Sequence, residues 1–446
     1  MDSASFLKKH GLKEGDLVKV SSKEEEFNGT IIPSKEPETI TLKLFSGYNA
    51  GFNVKNISSI AKSGEGKAVS KPPSKEITQD SSLPKIFILH TGGTIASRVD
   101  YRTGGVVSAF DPSDILSLVP ELGKIARIES IFISNMFSEN MRFANYQKIA
   151  QAVKKAIDSG AKGVIIGHGT DTLHYTAAAL SFMLENCPVP VLLVGSQRSS
   201  DRPSSDATVN LVCAAEFAAK TDFAGVGICM HDSSSDENCV ILSGTKTRKL
   251  HSTRRDAFKA VNSEPIARIN YKTRKIDFSS KNCPKRSAAG KFSMKEKFEE
   301  KVGLLKIHPN MFSEQFDFFR QQKFRGLVLE GTGLGHAPIG SENPENKLNE
   351  KIFSSLKALI DSGCVVAMAT QCISGTVDLQ VYSTGRDLQK TGVISAKDML
   401  SETAFIKLAW LLGNYSREEA MKLFGQNLCG EINERIKLGE FDLNWA

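Results

Sequence analysis

From residue 84 onward, short uninterrupted apolar runs recur at 86–89, 131–133, 164–166, 191–194, 226–230, 304–307, 327–329 and 365–368. A run with no polar alternation is what a strand buried on both faces looks like. Several of these runs are separated by segments of helical period. Within 146–159, Ile149, Val153, Ala156 and Ile157 fall on one face, and Gly160 ends the helix. Buried strands alternating with amphipathic helices predict an α/β layered fold, with parallel sheets covered on both faces.

The first 60 residues follow another pattern. Gly15-Asp16-Leu17-Val18-Lys19-Val20, Gly29-Thr30-Ile31-Ile32 and Thr39-Ile40-Thr41-Leu42-Lys43-Leu44 read as short strands. Turn formers Asn28-Gly29 and Gly47-Tyr48-Asn49 separate them. Alternation in 39–44 marks a half-buried sheet, and the whole predicts a small SH3-like or Sm-like β-barrel over 1–60. It carries eight Lys against eight Asp or Glu, so it is assigned to partner contact and not to phosphate. Residues 61–83 are rich in Ser, Gly, Pro and Lys and read as a flexible linker. A basic, weakly patterned stretch near 272–301 divides the remainder into α/β domains over 84–285 and 300–446.

Composition narrows the class. The 446 residues suffice for two to three domains, and 40% hydrophobic with 24% charged residues excludes wholesale disorder. No apolar run approaches the roughly 20 residues of a membrane span. The start, Met1-Asp2-Ser3-Ala4-Ser5-Phe6-Leu7-Lys8-Lys9, lacks the long apolar stretch of a secretory signal. A cytoplasmic protein is the expectation. Cysteines 187, 213, 229, 239, 283, 364, 372 and 429 show no C-x-x-C spacing and read as reduced residues, neither zinc ligands nor a disulfide frame. The net charge of +7 is local: residues 246–301 hold 17 Lys or Arg against 6 Asp or Glu. That segment fits a solvated interdomain stretch and equally a patch for nucleic acid or an acidic partner.

Open α/β sheets bind ligands at the carboxyl ends of their strands. After 86–89 comes His90-Thr91-Gly92-Gly93-Thr94-Ile95-Ala96-Ser97, and after 164–166 comes Gly167-His168-Gly169-Thr170-Asp171-Thr172. Both combine hydroxyls with glycines, and the second adds a carboxylate. Neither G-x-G-x-x-G nor a Walker-type loop occurs, which argues against a nucleotide site. A tight turn with self-capping hydroxyls accounts for either loop alone. Two threonine loops on one sheet point instead to a hydroxyl nucleophile, which needs a base or a neighbouring cation to act.

The two loops, with Thr94 and Thr170 76 residues apart, resemble the paired signatures of the bacterial-type L-asparaginase family. Val194-Gly195-Ser196-Gln197-Arg198, Ser205-Asp206-Ala207-Thr208-Val209-Asn210-Leu211, Arg248-Lys249-Leu250-His251-Ser252, Asp256-Ala257-Phe258 and Glu330-Gly331-Thr332-Gly333-Leu334-Gly335-His336 extend the resemblance over about residues 84 to 440. It implies a two-domain asparaginase-type fold. Within the family, the 85 residues before Ile86 resemble the layout of the GatD branch, the amidase subunits of archaeal glutamyl-tRNA(Gln) amidotransferases.

The resemblance carries roles to residues. Thr94 matches the first nucleophilic threonine, Thr170 and Asp171 the second threonine and its carboxylate, and Lys249 the lysine completing that set. The implied reaction releases ammonia from glutamine or asparagine through a threonine acyl-enzyme. Ser138 matches the serine at the substrate carboxylate, Glu139 stands where many asparaginases carry glutamine, and Tyr101 is the counterpart of the mobile-loop tyrosine. His90, His168 and His174 are assigned to local structure, since the family uses no histidine base.

The resemblance also implies partners. Ammonia would pass to a GatE subunit, which uses ATP and Mg²⁺ to amidate Glu-tRNA(Gln), and this chain would dimerise within a heterotetramer. No cofactor or metal is expected in this chain. A free-standing cytosolic L-asparaginase with an accessory domain is the rival, and a non-catalytic scaffold of the same fold a third reading. The matched Thr94, Thr170, Asp171 and Lys249 weigh against the third.

Overall fold

A computed structural model of the chain describes residues 2–22, 25–32, 34, 37–44, 49–65, 79–92, 97–100, 105–108, 112, 115–116, 119–198, 205–279, 283–288 and 290–436. Near the N-terminus, helix Ser3–Lys9 precedes a five-stranded antiparallel sheet, in the order Asn49–Asn53, Thr39–Leu44, Glu25–Ile32, Asp16–Ser22, Ile57–Glu65. Its core gathers Phe6, Leu12, Val18, Val20, Ile31, Ile40, Leu42, Phe52 and Val54. The last strand runs to Glu65, so the boundary expected at residue 60 falls inside the sheet. At the far side of the connection, Gln79 makes two hydrogen bonds with the backbone of Ile128, at 2.6 and 3.0 Å. The end of the expected linker is therefore held on the α/β body.

The second sheet has eight strands, ordered Ile276–Phe278, Ala267–Asn270, Asn238–Ser243, Gly225–His231, Pro190–Val194, Gly163–Gly167, Lys85–His90, Arg127–Phe132. From Gly225–His231 to Arg127–Phe132 all pairings are parallel. The other three strands are antiparallel, so this sheet is mixed, not parallel throughout as its apolar runs predict. Asn238–Ser243 follows Gly225–His231 after six residues, a connection too short for a parallel crossover. Alternate residues of the central strands enter two cores. Leu89, Ile166 and Leu193 face helices Phe143–Asp158 and Leu173–Met183, whereas Ile88, Ile165 and Leu192 face helix Ala207–Lys220. Arg127–Phe132 is an edge strand, with Phe132 half exposed at 54%.

A third sheet, Val302–Lys306, Gly326–Gly331, Val365–Thr370, Ile394–Ser395, is parallel. Helices Glu314–Gln321, Asn349–Asp361 and Ser383–Thr391 cover one face. Helix Ser401–Asn414 packs on the other and joins it to the core of the second sheet, where Phe182 stacks on Trp410. Polar bonds lock the same seam. Lys246 Nζ meets Asp398 Oδ2 at 2.5 Å with both side chains 2% exposed. Asn262 exchanges hydrogen bonds with the backbone of Gly375 and donates to Asp398 O. Thr403 Oγ1 donates to Thr245 O.

Candidate active site

The Thr170 loop leaves the carboxyl end of the buried strand Gly163–Gly167 and turns into helix Leu173–Met183. It is packed too tightly for side chains at its glycines. A Cβ on Gly169 would lie 2.8 Å from Ser138 Cβ and Oγ, and one on Gly195 would lie 2.7 Å from Thr170 Cγ2. Thr172 Oγ1 donates to Ser138 O at 2.6 Å and ties the loop to the turn Ser138–Asn140. His168 fixes the other side. Its Nδ1 meets Gly169 O at 2.7 Å and its Nε2 meets Thr176 Oγ1 at 2.8 Å. A carbonyl only accepts, so Nδ1 carries the proton and Nε2 takes the Thr176 hydroxyl. Burial holds this imidazole neutral, with its pKa pushed down to about 4.

Lys249 arrives from a separate element. Strand Thr247–Lys249 pairs antiparallel with Phe258–Ala260, with Lys249 opposite the fully buried Phe258. Along the strand, side chains alternate in direction. Arg248 reaches Glu402 of the C-terminal domain, Nε to Oε1 at 3.0 Å, while Lys249 points to the loop. Lys249 Nζ donates to Thr170 Oγ1 and to Asp171 Oδ1, both at 2.8 Å. The lysine side chain is 10% exposed and the aspartate 66%, so the set opens to solvent through its carboxylate. Thr170 Oγ1 in turn donates to Gln197 Oε1 at 2.9 Å.

The structure thus brings Thr170, Asp171 and Lys249 into direct contact and sets Ser138, which is buried, against the same loop. Glu139 is exposed beside it. Thr94 and Tyr101 lie outside the described residues. The described start of their loop is anchored on the Thr170 loop: Thr91 Oγ1 and N both donate to Gly167 O, at 2.9 and 3.2 Å. Gly92 follows with φ +117°, where a Cβ would strike the Met136 carbonyl oxygen. His90 and His174 are buried and, like His168, pushed well below the ordinary imidazole range by desolvation, to about 4 and about 3.

Sequence reasoning missed Thr172 and Gln197. Thr172 was visible as the second hydroxyl beside Asp171, but Gln197 sits 27 residues from Thr170 and carries no acid–base chemistry to betray it. It also missed that Arg248, next to the site lysine, belongs to the domain seam. Among the described residues, no group of three or more His, Cys, Asp or Glu is placed to hold a metal ion, and no helix is long and apolar enough to cross a membrane.

Comparison with known proteins agrees along the whole chain. Residues 85–283 match the model of the asparaginase N-terminal domain, 301–424 that of the glutaminase/asparaginase C-terminal domain, and 12–62 that of the GatD N-terminal domain. The GatD subunit of glutamyl-tRNA(Gln) amidotransferase from Methanococcus maripaludis is 45% identical over 95% of this chain and 99% of its own. Its counterpart in Pyrococcus furiosus is 44% identical, covering 98% of each. Among solved structures, the thermostable L-asparaginase of Thermococcus kodakarensis superposes with a TM-score of 0.68 at 32% identity, over 79% of this chain and all of that one. L-asparaginase I of Vibrio cholerae gives a TM-score of 0.66 at 29% identity, over 79% and 99%.

Proposed function

The chain belongs to the GatD family of glutamyl-tRNA(Gln) amidotransferase subunits, whose catalytic body is an asparaginase fold, and from this we propose that it is the amidase component of a tRNA-dependent amidotransferase. It hydrolyses the side-chain amide of glutamine or asparagine and supplies the ammonia that converts Glu-tRNA(Gln) to Gln-tRNA(Gln). The observation that carries this is the contact of Lys249 with both Thr170 and Asp171, on a chain that also bears the N-terminal sheet.

A threonine hydroxyl attacks a carbonyl only if its proton has somewhere to go. In the deprotonated state Lys249 takes that proton, and Asp171 stabilises the ammonium so formed. The oxygen lone pair closes on the amide carbon, the C–N bond breaks, the proton goes to the leaving nitrogen, and ammonia departs. Water then cleaves the ester. Thr94 is the nucleophile in this scheme, and the Thr170–Lys249–Asp171 set carries the proton away in both steps, first from Thr94 and then from the attacking water. Ser138 meets the substrate's α-carboxylate and Asp171 its α-amine, with Glu139 and Tyr101 closing the pocket. A GatE-type partner, using ATP and Mg²⁺, activates the glutamyl carboxyl and receives the ammonia, with two copies of each chain in the complex.

The test is ammonia release from asparagine and from glutamine, by the full chain alone and with its partner and Glu-tRNA(Gln). Low turnover alone and a large rise in the complex are expected. Sustained asparagine turnover that the partner leaves unchanged would instead make this a free-standing L-asparaginase. Thr94→Ala should abolish release in every format. Deleting residues 1–65 should weaken partner association while sparing the amidase body, and full-strength association of the shortened chain would remove the barrel's role.

A further inference from the structure

Thr170 has one hydroxyl proton and two neighbours that compete for its oxygen. The proton is donated to Gln197 Oε1 at 2.9 Å, and Lys249 Nζ donates into the oxygen at 2.8 Å. The direction of both bonds matters. With the hydroxyl turned to Gln197, Lys249 Nζ is the donor in their shared contact, so no lone pair on the nitrogen faces the threonine's proton. The pair is therefore parked: the proton points away from the base that must take it.

Gln197 is not a loose surface amide that swings in by chance. Its own N–H donates to Asp206 Oδ2 at 3.0 Å, and the N–H of Arg198 donates to Asp206 Oδ1 at 2.9 Å. Asp206 is fully buried and takes further hydrogen bonds from Ser196 Oγ and Asn210 Nδ2. Asn210 Nδ2 also holds Gly195 O, the residue packed on the Thr170 methyl. One buried carboxylate thus pins three successive residues, and Gln197 is the one whose side chain reaches the site. Its Nε2 faces His251 O at 3.5 Å, which directs Oε1 toward Thr170.

We propose that Gln197 is a positioning residue that restrains the threonine–lysine pair, holding Thr170 in the unreactive proton arrangement until substrate or a partner draws the hydroxyl away. This rests on the amidase reading above. For turnover, the hydroxyl rotates from Gln197 to Lys249 in its neutral form, the O–H bond breaks, and the proton ends on Nζ. The groups facing that lysine are Thr170 and Asp171 from the loop, with His174 and the Arg248–Glu402 pair behind it.

Gln197 is only partly buried, so it can be changed without opening the core. Gln197→Met keeps length and bulk and removes the strong acceptor. Gln197→Glu replaces it with an acceptor-only group that holds the hydroxyl harder. Ammonia release from saturating glutamine and asparagine would be measured for the full chain, alone and with the partner. Gln197→Met should raise kcat of the isolated chain roughly 3- to 10-fold, the worth of one neutral hydrogen bond, with KM unchanged. Gln197→Glu should lower kcat, again at constant KM. A fall in kcat for Gln197→Met, or both variants moving the same way, would overturn the restraint. Wild-type hydrolysis with unaltered variants defeats this inference alone, whereas no hydrolysis by any form, with or without the partner, defeats the amidase reading itself.

Discussion

Lys246 and Lys249 stand three residues apart in one hairpin, and each meets an aspartate, yet they do opposite work. Lys246 meets Asp398 in the dry seam between the domains, where neither side chain is more than 2% exposed. Asn433 N also donates to that carboxylate, on Oδ1. Lys249 meets Asp171 at the mouth of the site, where the carboxylate is 66% exposed and a hydroxyl shares the ammonium. A buried pair is costly to break and has nothing to offer a substrate. A pair with one open end can exchange a proton and admit a ligand. Burial of the acid, not the sequence distance or the residue types, separates scaffold from chemistry here.

The difference can be broken from the catalytic side first. Thr170→Ala or Lys249→Met should lower amide hydrolysis by roughly 10²- to 10⁴-fold, with an unchanged thermal midpoint. Near-normal turnover in either would take the set out of the mechanism. Lys246→Met leaves Asp398 charged and dry, and should cost about 3–5 kcal/mol in denaturant unfolding, with hydrolysis per folded molecule reduced far less than by Lys249→Met, since Thr245 and Arg248 still hold the hairpin. A loss of activity without a loss of stability would reverse the roles assigned to the two lysines.

A third test uses protons. His168 has its pKa depressed from 6.5 to about 4 by burial, so between those values the unfolded chain binds a proton that the folded chain refuses. Stability is fully present above pH 6.5 and is lost as the pH falls toward 4, by about 3 kcal/mol for this residue alone. His90 and His174, also depressed, add loss of the same sign. Denaturant midpoints measured between pH 7 and pH 4 should fall steeply, and His168→Gln should flatten the slope. An identical slope in that variant would mean the ring is not buried as described. The smallest effect belongs to Lys154, paired with Asp158 one helical turn away on an open surface at 2.5 Å. Lys154→Ala should change stability by no more than about 0.5 kcal/mol, which a larger shift in unfolding would refute.

Much of this was legible beforehand because two-sided burial leaves an unbroken apolar run. The runs at 86–89, 164–166, 191–194 and 365–368 all fall within observed strands. The same pattern says nothing about direction, and so the antiparallel flank of the second sheet went unread, Asn238–Ser243 included. The loop carrying Thr170 announced itself by its glycines and its carboxylate. The basic segment was the hardest to read, since its charge is settled by acids distant in sequence. Arg248 meets Glu402, Arg255 meets Asp236, Arg268 meets Asp232, and Arg274 lies near Glu216. An excess of cations that fitted equally a solvated stretch and a patch for nucleic acid or an acidic partner is in good part internal stitching.

The stitching has one consequence for how the molecule can be divided. The hairpin that delivers Lys249 is rooted, through Lys246, Thr245 and Arg248, in residues beyond 397. Among the described residues, the hydrogen-bond partners of Thr170 and Lys249 come from residues before 300, yet the C-terminal half acts as the jig in which that set is aligned. Two polypeptides cut near residue 289 would each lack half of the fixture. Mixed together, they should regain activity only as fast as the seam closes.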